Sequence, residues 1–209
     1  MENKKPTQFL MKPKVDFCFK ELMEDEEVRN AFLAAVLGIN PKEINESKIL
    51  PSHLRQKDKD DKLGILNFIM FDDEEYYSRF HFWSDKGRKL YSDKFEIHTL
   101  ELPKLAKHDY PETELLKWLQ FINAETEEEF EMAAEKSEYI KKAYEDLNRI
   151  SADEEKRLEY EERERAIRDH QYFSTVYKNT GLKEGRREGR QEGIQAVVEL
   201  LQDCLLYTS

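Results

Sequence analysis

No stretch of this sequence approaches the roughly 18–20 consecutive apolar residues that a bilayer-spanning helix needs. The opening Met1-Glu2-Asn3-Lys4-Lys5-Pro6 leads into no apolar signal core. The expectation is a cytoplasmic protein with no membrane association. Cysteine is almost absent: Cys18 and Cys204 are the two in 209 residues, and they form no CxxC spacing, so neither a disulfide framework nor a thiolate metal site is expected. The five histidines (His53, His81, His98, His108, His170) make no HxxxH or HExxH pair, which leaves no helix face with two imidazoles for zinc. Also missing are GxxxxGK[ST], GxGxxG after a strand, and GxSxG, the patterns that cradle phosphates or expose a serine nucleophile.

Positive charge is scarce in the second half. Residues 1–110 hold 19 Lys+Arg and 21 Asp+Glu, whereas residues 111–209 hold 15 and 24, within a net charge of -11. Any approach to nucleic acid therefore belongs to the first half, because phosphates need local positive charge and the second half repels them. Acidity does not exclude phosphodiester chemistry, since metal-dependent sites are themselves built from carboxylates. Hydrophobic residues at 39% and charged residues at 38% describe a soluble, very charged chain. Its length suits one α/β domain with a helical appendage.

Val15 to Met23 reads as a short helix, and Asp25-Glu26-Glu27 supplies a cap and acidic first turn for a second, with Val28, Phe32, Leu33, Val36 and Leu37 at helical spacing. Gly38 and Pro41 end it. Lys48-Ile49-Leu50 is expected as a short strand, Arg55 to Lys62 as a loop, and the nearly continuous apolar run Leu63 to Phe71 as a buried strand. Asp72-Asp73-Glu74-Glu75 reads as a turn entering a helix. Arg88 to Leu102 reads as a turn and strand, with Phe95, Ile97 and Thr99 on one side and Glu96, His98 and Leu100 on the other, until Pro103 stops it. This strand is expected to set the register of Leu63 to Phe71. The aromatics Tyr76, Tyr77, Phe80, Phe82 and Trp83 could stack nucleobases, but their spacing favours a buried helical side and a strand.

From Pro111 onward the pattern is helical. Leu115, Leu116, Leu119 and Ile122 form one apolar stripe, and Ile140, Ala143, Tyr144, Leu147 and Ile150 another. Thr126 with Glu129 and Ser151 with Glu154 read as capping boxes. Gly181, Gly185, Gly189 and Gly193 fall every four residues along one side of a charged helix, at about 1 kcal/mol of lost helix propensity each. The line fits either close helix packing between chains or a flexible charged tail. Cys204-Leu205-Leu206-Tyr207-Thr208-Ser209 match a one-frame translation of the transposon-end adapter used in sequencing libraries, and are read as a read-through artefact.

Several segments, in this order, carry a family resemblance. They are Pro13 to Leu22, the helix with Phe32-Leu33 and Val36-Leu37, Asp60-Asp61-Lys62-Leu63-Gly64-Ile65-Leu66, Met70-Phe71 with Tyr77-Ser78-Arg79-Phe80, and Asp93 to Lys104. The Trp118 helix, Ile150 to Arg157 and the glycine-spaced tail follow. Together they resemble the PD-(D/E)XK nuclease family transposases, the group that includes the recombination-promoting nucleases. The resemblance implies a restriction-endonuclease-like sheet, DNA as partner, Mg²⁺ as cofactor, and an endonuclease that assists recombination or transposition. It also exposes a departure. In the family a metal-binding Asp on the first strand, then a second strand with Glu-x-Gln or Glu-x-Lys, precede the part resembling Asn67 to Phe71, whereas here Asn67 follows Leu66 at once.

That gap matters because such hydrolysis needs two carboxylates on adjacent strands to hold Mg²⁺, with a Lys or Gln nearby to position the nucleophile. The remnant candidates are Asp60, Asp61 and Lys62, with Asp72 and Asp73 as an alternative. Glu46-Ser47-Lys48 and Glu154-Glu155-Lys156 are E-x-K triplets of the kind that chance supplies in so charged a chain. The expectation is therefore an α/β fold with a truncated nuclease-like sheet in residues 1–102, a helical region 103–180, a glycine-spaced helical tail 181–203 and the artefact 204–209. The chain is expected to be catalytically inactive and to bind no Mg²⁺. The alternative is a non-catalytic protein that self-associates through its C-terminal helices as a homo-oligomer.

Overall fold

A computed structural model describes residues 9–49, 62–92 and 96–206, and the side chains of 9–49, 65–92 and 96–195. Two helices open it. Helix α1 (Asp16–Met23) buries Phe17, Cys18, Leu22 and Met23. Helix α2 (Glu26–Leu37) starts where the Asp25 carboxylate accepts from the Glu27 and Val28 N–H groups, satisfying two donors that the first turn leaves orphaned. It stops at Gly38, whose φ of 68° is left-handed backbone that favours glycine. Lys48 and Ile49 form no strand, and Leu50 lies outside the described residues. Ser47 is instead bound to Arg29, whose Nε donates to its Oγ at 2.8 Å and whose Nη2 donates to its carbonyl at 3.1 Å.

The sheet has three strands, β1 (Lys62–Leu66), β2 (Tyr77–His81) and β3 (Glu96–Glu101), in the order β1-β3-β2. Strand β1 runs parallel to β3 with Ile65 opposite Leu100, and β2 runs antiparallel with Phe80 opposite Ile97. Residues 96–100 alternate between faces as their pattern demands, and β3 is the neighbour that sets the register of β1. The buried strand expected over Leu63 to Phe71 ends early, at Leu66. Phe68, Ile69 and Met70 are exposed, because the chain leaves the sheet edge there and turns across the end of β3. Asp72 to Glu75 form a bend that leads directly into β2 and no helix. The expected loop from Arg55 lies outside the described residues except for Lys62, which begins β1.

Helices α3 (Glu114–Asn123), α4 (Glu127–Ala134) and α5 (Glu138–Ala152) follow a short 3-10 turn at Leu102–Lys104. Leu115, Leu116, Leu119 and Ile122 of α3 are buried, as are Ile140, Ala143, Leu147 and Ile150 of α5. The Thr126–Glu129 capping box forms. The Ser151–Glu154 box does not: Ser151 lies inside α5, and its buried Oγ accepts the Met11 N–H at 3.0 Å. The break falls at Asp153, whose Oδ1 accepts the Lys156 N–H at 3.0 Å and opens helix α6 (Glu154–Leu206). One core joins α1, α2, α3, α4 and α5 to Leu100 and Leu102, with edge-on aromatic contacts from Phe32 to Trp118 and from Trp118 to Phe121.

The chain divides into two compact units, Met1–Tyr160 and Glu161–Ser209. Tyr160 closes the first, buried, with its hydroxyl accepting the Lys12 N–H at 3.2 Å. In the second, helix continues unbroken through Gly181, Gly185, Gly189 and Gly193. Among the described residues no atom beyond the local helix lies within 4 Å of where a Cβ would stand on any of the four. Among the described residues no helix is long and apolar enough to cross a membrane.

Candidate functional site

Pro103 cannot donate to a ladder, so β3 ends in the 3-10 turn, and the turn swings Lys104 back beneath the strand it has left. Its ammonium donates to Asp73 Oδ1 at 2.7 Å, to the Glu75 carbonyl at 2.9 Å and to Glu101 Oε1 at 3.1 Å. The other oxygen of Glu101 accepts the N–H groups of Met70 at 2.6 Å and Phe71 at 3.3 Å. Glu101 and Lys104 are nearly fully buried, at 1% and 2% exposure, while Asp73 stays half exposed. The Glu101 N–H donates to the Tyr76 carbonyl at 2.8 Å, so the 67–76 segment is tied to the end of β3 from both sides.

Burial pushes the Glu101 carboxyl up, but the Met70 and Phe71 N–H groups and the Lys104 ammonium outweigh it and hold it below its ordinary value. For Lys104, burial acts downward and the Asp73 and Glu101 carboxylates raise it above the usual lysine range. Asp73 is lowered chiefly by its hydrogen bond from Lys104. All three groups are thus charged at neutral pH, as a closed set of mutually satisfied partners.

A second cluster lies at the other end of β3. Glu96 is 7% exposed and opposite His81 in the register, with Arg79 opposite His98 on the same face. Arg79 Nε donates to Glu96 Oε2 at 2.7 Å and its Nη2 pairs with Oε1. His81 Nε2 lies 2.8 Å from Oε1, and His98 Nε2 lies 3.2 Å from Oε2. Tyr77 completes the network, its hydroxyl 3.0 Å from His98 Nδ1. Arg79 first, and His81 after it, hold the Glu96 carboxyl down at about 2.

The structure distributes the sequence candidates widely. Asp60 and Asp61 lie outside the described residues, and Lys62 is described only as the first backbone position of β1. Asp72 is exposed. Asp73 alone joins a cluster, through Lys104. Glu46 pairs with Lys48 at 2.6 Å on the surface, Glu154 and Glu155 face solvent, and Lys156 pairs with Glu21 of α1. Pattern reading missed Glu101, Lys104, Glu96, Arg79, His81 and His98 as interacting groups. A usable signal existed in the alternate-residue pairs Arg79/His81 and Glu96/His98, whose polar residues occupy one face of two neighbouring strands.

The aromatics also divide. Tyr76 and Tyr77 pack against the core, but Phe80, Phe82 and Trp83 are 38%, 45% and 53% exposed, because β2 is an edge strand and they lie toward its far end and beyond.

Among the described residues a divalent cation, as the resemblance implies, finds no fitting donors. The space between Asp73 and Glu101 is filled by an ammonium, and both oxygens of Glu101 and of Glu96 are already accepting. Among the described residues no three His, Cys, Asp or Glu side chains converge as a metal-holding set. Neither the curated proteins nor the solved structures returned a match. The family model for PD-(D/E)XK nuclease family transposases does match, over residues 63–175, which takes in all of β2 and β3, both charge clusters and the helices α3 to α5. More than half of the sequence is covered, and the chain belongs to the PD-(D/E)XK nuclease family transposases.

Proposed function

We propose that this chain is a DNA-associating member of its family, connected with recombination or transposition, that does not itself cut DNA. Its sheet is read as a shortened restriction-endonuclease-like one. The observation that carries the reading is the Lys104 ammonium between Asp73 and Glu101. Metal-dependent hydrolysis needs carboxylates left open toward the ion, with a lysine beside them acting on the attacking water. Here the lysine neutralises the carboxylates themselves, and Glu101, the one of them carried on a strand, is spent on holding a loop. The test is nicking of supercoiled plasmid by the purified chain with Mg²⁺ or Mn²⁺, alongside Asp72→Ala/Asp73→Ala. No metal-dependent nicking is expected. Cleavage that the double substitution abolishes would overturn the reading and place the chemistry at that bend.

Self-association through the C-terminal helices is favoured by one feature of α6. Residues 165–195 are exposed, and Phe173 and Tyr177 extend the four-residue glycine line toward the N-terminus of the helix at 54% and 74% exposure. Such a line of small and aromatic residues suits a second helix better than water.

A further inference from the structure

After β2 the chain continues as a hairpin whose surface combines exposed aromatic rings with a basic turn. Trp83 bridges Leu90 in antiparallel pairing, and the Tyr91 N–H donates to the Phe82 carbonyl at 2.7 Å, so Phe82 and Tyr91 are opposite neighbours on one face. Phe80 lies two residues from Phe82, on the same face by strand alternation. Its ring is 5.4 Å from that of Phe71. Phe80, Phe82 and Tyr91 are open to solvent, Tyr91 most of all at 83% exposure, and so are Trp83 and Leu90 on the opposite face.

The turn between these arms is basic. Lys86, Arg88 and Lys89 are exposed, with Asp85 the one acidic residue between Trp83 and Tyr91. Among the described residues none of the three cations is in an ion pair, whereas the nearby sheet cations Arg79 and Lys104 are committed to Glu96, Glu101 and Asp73. The turn holds its shape without them. The Ser84 N–H donates to the Lys89 carbonyl at 2.9 Å, the Arg88 N–H to the Ser84 carbonyl at 3.0 Å, and the Lys89 N–H to Ser84 Oγ at 3.1 Å. Arg88 adopts a left-handed φ of 45°, a conformation that non-glycine residues rarely take and that this hydrogen-bonded turn enforces.

We propose that the hairpin from Phe80 to Tyr91 is a binding site for single-stranded DNA, in which exposed aromatic rings stack on unpaired bases and Lys86, Arg88 and Lys89 meet the phosphates. The proposal rests on the DNA reading above and specifies where and in what form DNA is held. Two arguments favour a single strand over its rivals. Stacking requires base faces that a duplex keeps covered, and it tolerates any sequence because every base has a π-face. A protein partner docking on the aromatics alone would leave three adjacent cations without phosphates, on a chain of net charge -11.

The experiment uses the full chain and fluorescein-labelled oligothymidine, the matching duplex and oligouridine, read by anisotropy at low and moderate salt. Trp83 also supplies an internal probe: the chain has two tryptophans, and the other, Trp118, is buried in the core. The expected result is tightest binding to oligothymidine, quenching of tryptophan emission on binding, and loss of that quenching in Trp83→Leu. Phe82→Ala and Tyr91→Ala, on the face that Phe80 shares, should each weaken binding about tenfold. Lys86→Ser/Arg88→Ser/Lys89→Ser should weaken it and flatten the slope of log affinity against log salt by about 2, at roughly 0.7 per phosphate contact. Thermal melts of each variant separate lost binding from lost folding, and a variant that melts with the parent yet binds like it counts against the site. Binding to duplex or oligouridine in preference, or oligothymidine binding that these substitutions leave intact, overturns the hairpin assignment while leaving nucleic-acid association standing. No binding to any of the three at low salt overturns both. Hairpin substitutions that change the mass of the free protein, and not DNA binding, would assign the surface to a second copy.

Discussion

Lys104 reaches back three residues across Pro103 to place its ammonium 3.1 Å from the Glu101 carboxylate, and both side chains are shut away from solvent. Through Asp73 and the N–H groups of Met70 and Phe71 this one pair fastens the 67–76 segment over the end of the sheet. A buried pair of this kind is a matter of placement more than of net stability, because desolvation offsets much of the attraction.

The consequence is a lopsided mutant cycle. Lys104→Met strands a buried carboxylate and Glu101→Gln weakens the hold on Lys104, so each single change should lower Tm, Lys104→Met by about 5 °C or more. The double change Lys104→Met/Glu101→Gln removes both charges, keeps an oxygen to accept the Met70 N–H, and should be milder than Lys104→Met alone. Differential scanning fluorimetry of the three variants checks this, and a double variant no better than the worse single one counts against a paired clamp.

Acid should reveal the Glu96 cluster. Its carboxyl is held at about 2 in the folded chain against an ordinary 4.5. A carboxyl lowered by folding adds stability that is fully present above 4.5 and is lost as pH falls toward 2. Discounted for the half-exposed Arg79 that dominates the effect, the contribution is about 1 kcal/mol. Urea denaturation at pH 6 should therefore find Glu96→Gln less stable than the parent by about that amount, with the gap closing at pH 2.5. A constant gap across that range would mean the charge is not what matters.

Two isoleucines four residues apart should part company. Ile65 stands opposite Leu100 in β1 and packs on the core, while Ile69 is 40% exposed beyond the strand's end. Ile65→Asp should cost about 2 kcal/mol or more and Ile69→Asp under about 1, by equilibrium urea unfolding. Equal costs would restore the longer buried strand that the apolar run Leu63 to Phe71 suggests.

That pair also shows where pattern reading stops. Helices α2, α3 and α5 were legible because their signals are local: Asp25 before an acidic turn, Gly38 after the last one, and apolar residues at helical spacing. The end of β1 was not. Phe68, Ile69 and Met70 are as apolar as Leu63 to Leu66, and what separates them is a hydrogen bond from Met70 to Glu101, thirty-one residues away. Ser151 failed as a cap for the same reason, since its hydroxyl serves Met11, 140 residues off. The site was less legible still: a lysine three residues after a glutamate looks like any charged surface until the proline between them turns it inward. Asp60 and Asp61, the first candidates by resemblance, lie outside the described residues.

The glycine line on α6 offers the last test. A spacing of four exceeds the 3.6 residues of a helical turn, so the line from Phe173 through Tyr177 to Gly193 drifts about 40° per step around the axis. A partner helix can follow it only by crossing in the right-handed sense, at close range, where a Cβ would intrude. Among the described residues of one chain no atom beyond the local helix lies within 4 Å of those Cβ positions, so alanine fits each glycine without a clash and adds about 1 kcal/mol of helix propensity. Gly185→Ala/Gly189→Ala in the full chain should therefore raise helicity by circular dichroism whatever the assembly. Light scattering then decides the role of the line. A parent that is a dimer and a variant that falls to monomer would support pairing along it, because the variant has the better helix and loses only close approach. A parent that is already monomeric, or a dimer that the substitutions leave intact, would reject it.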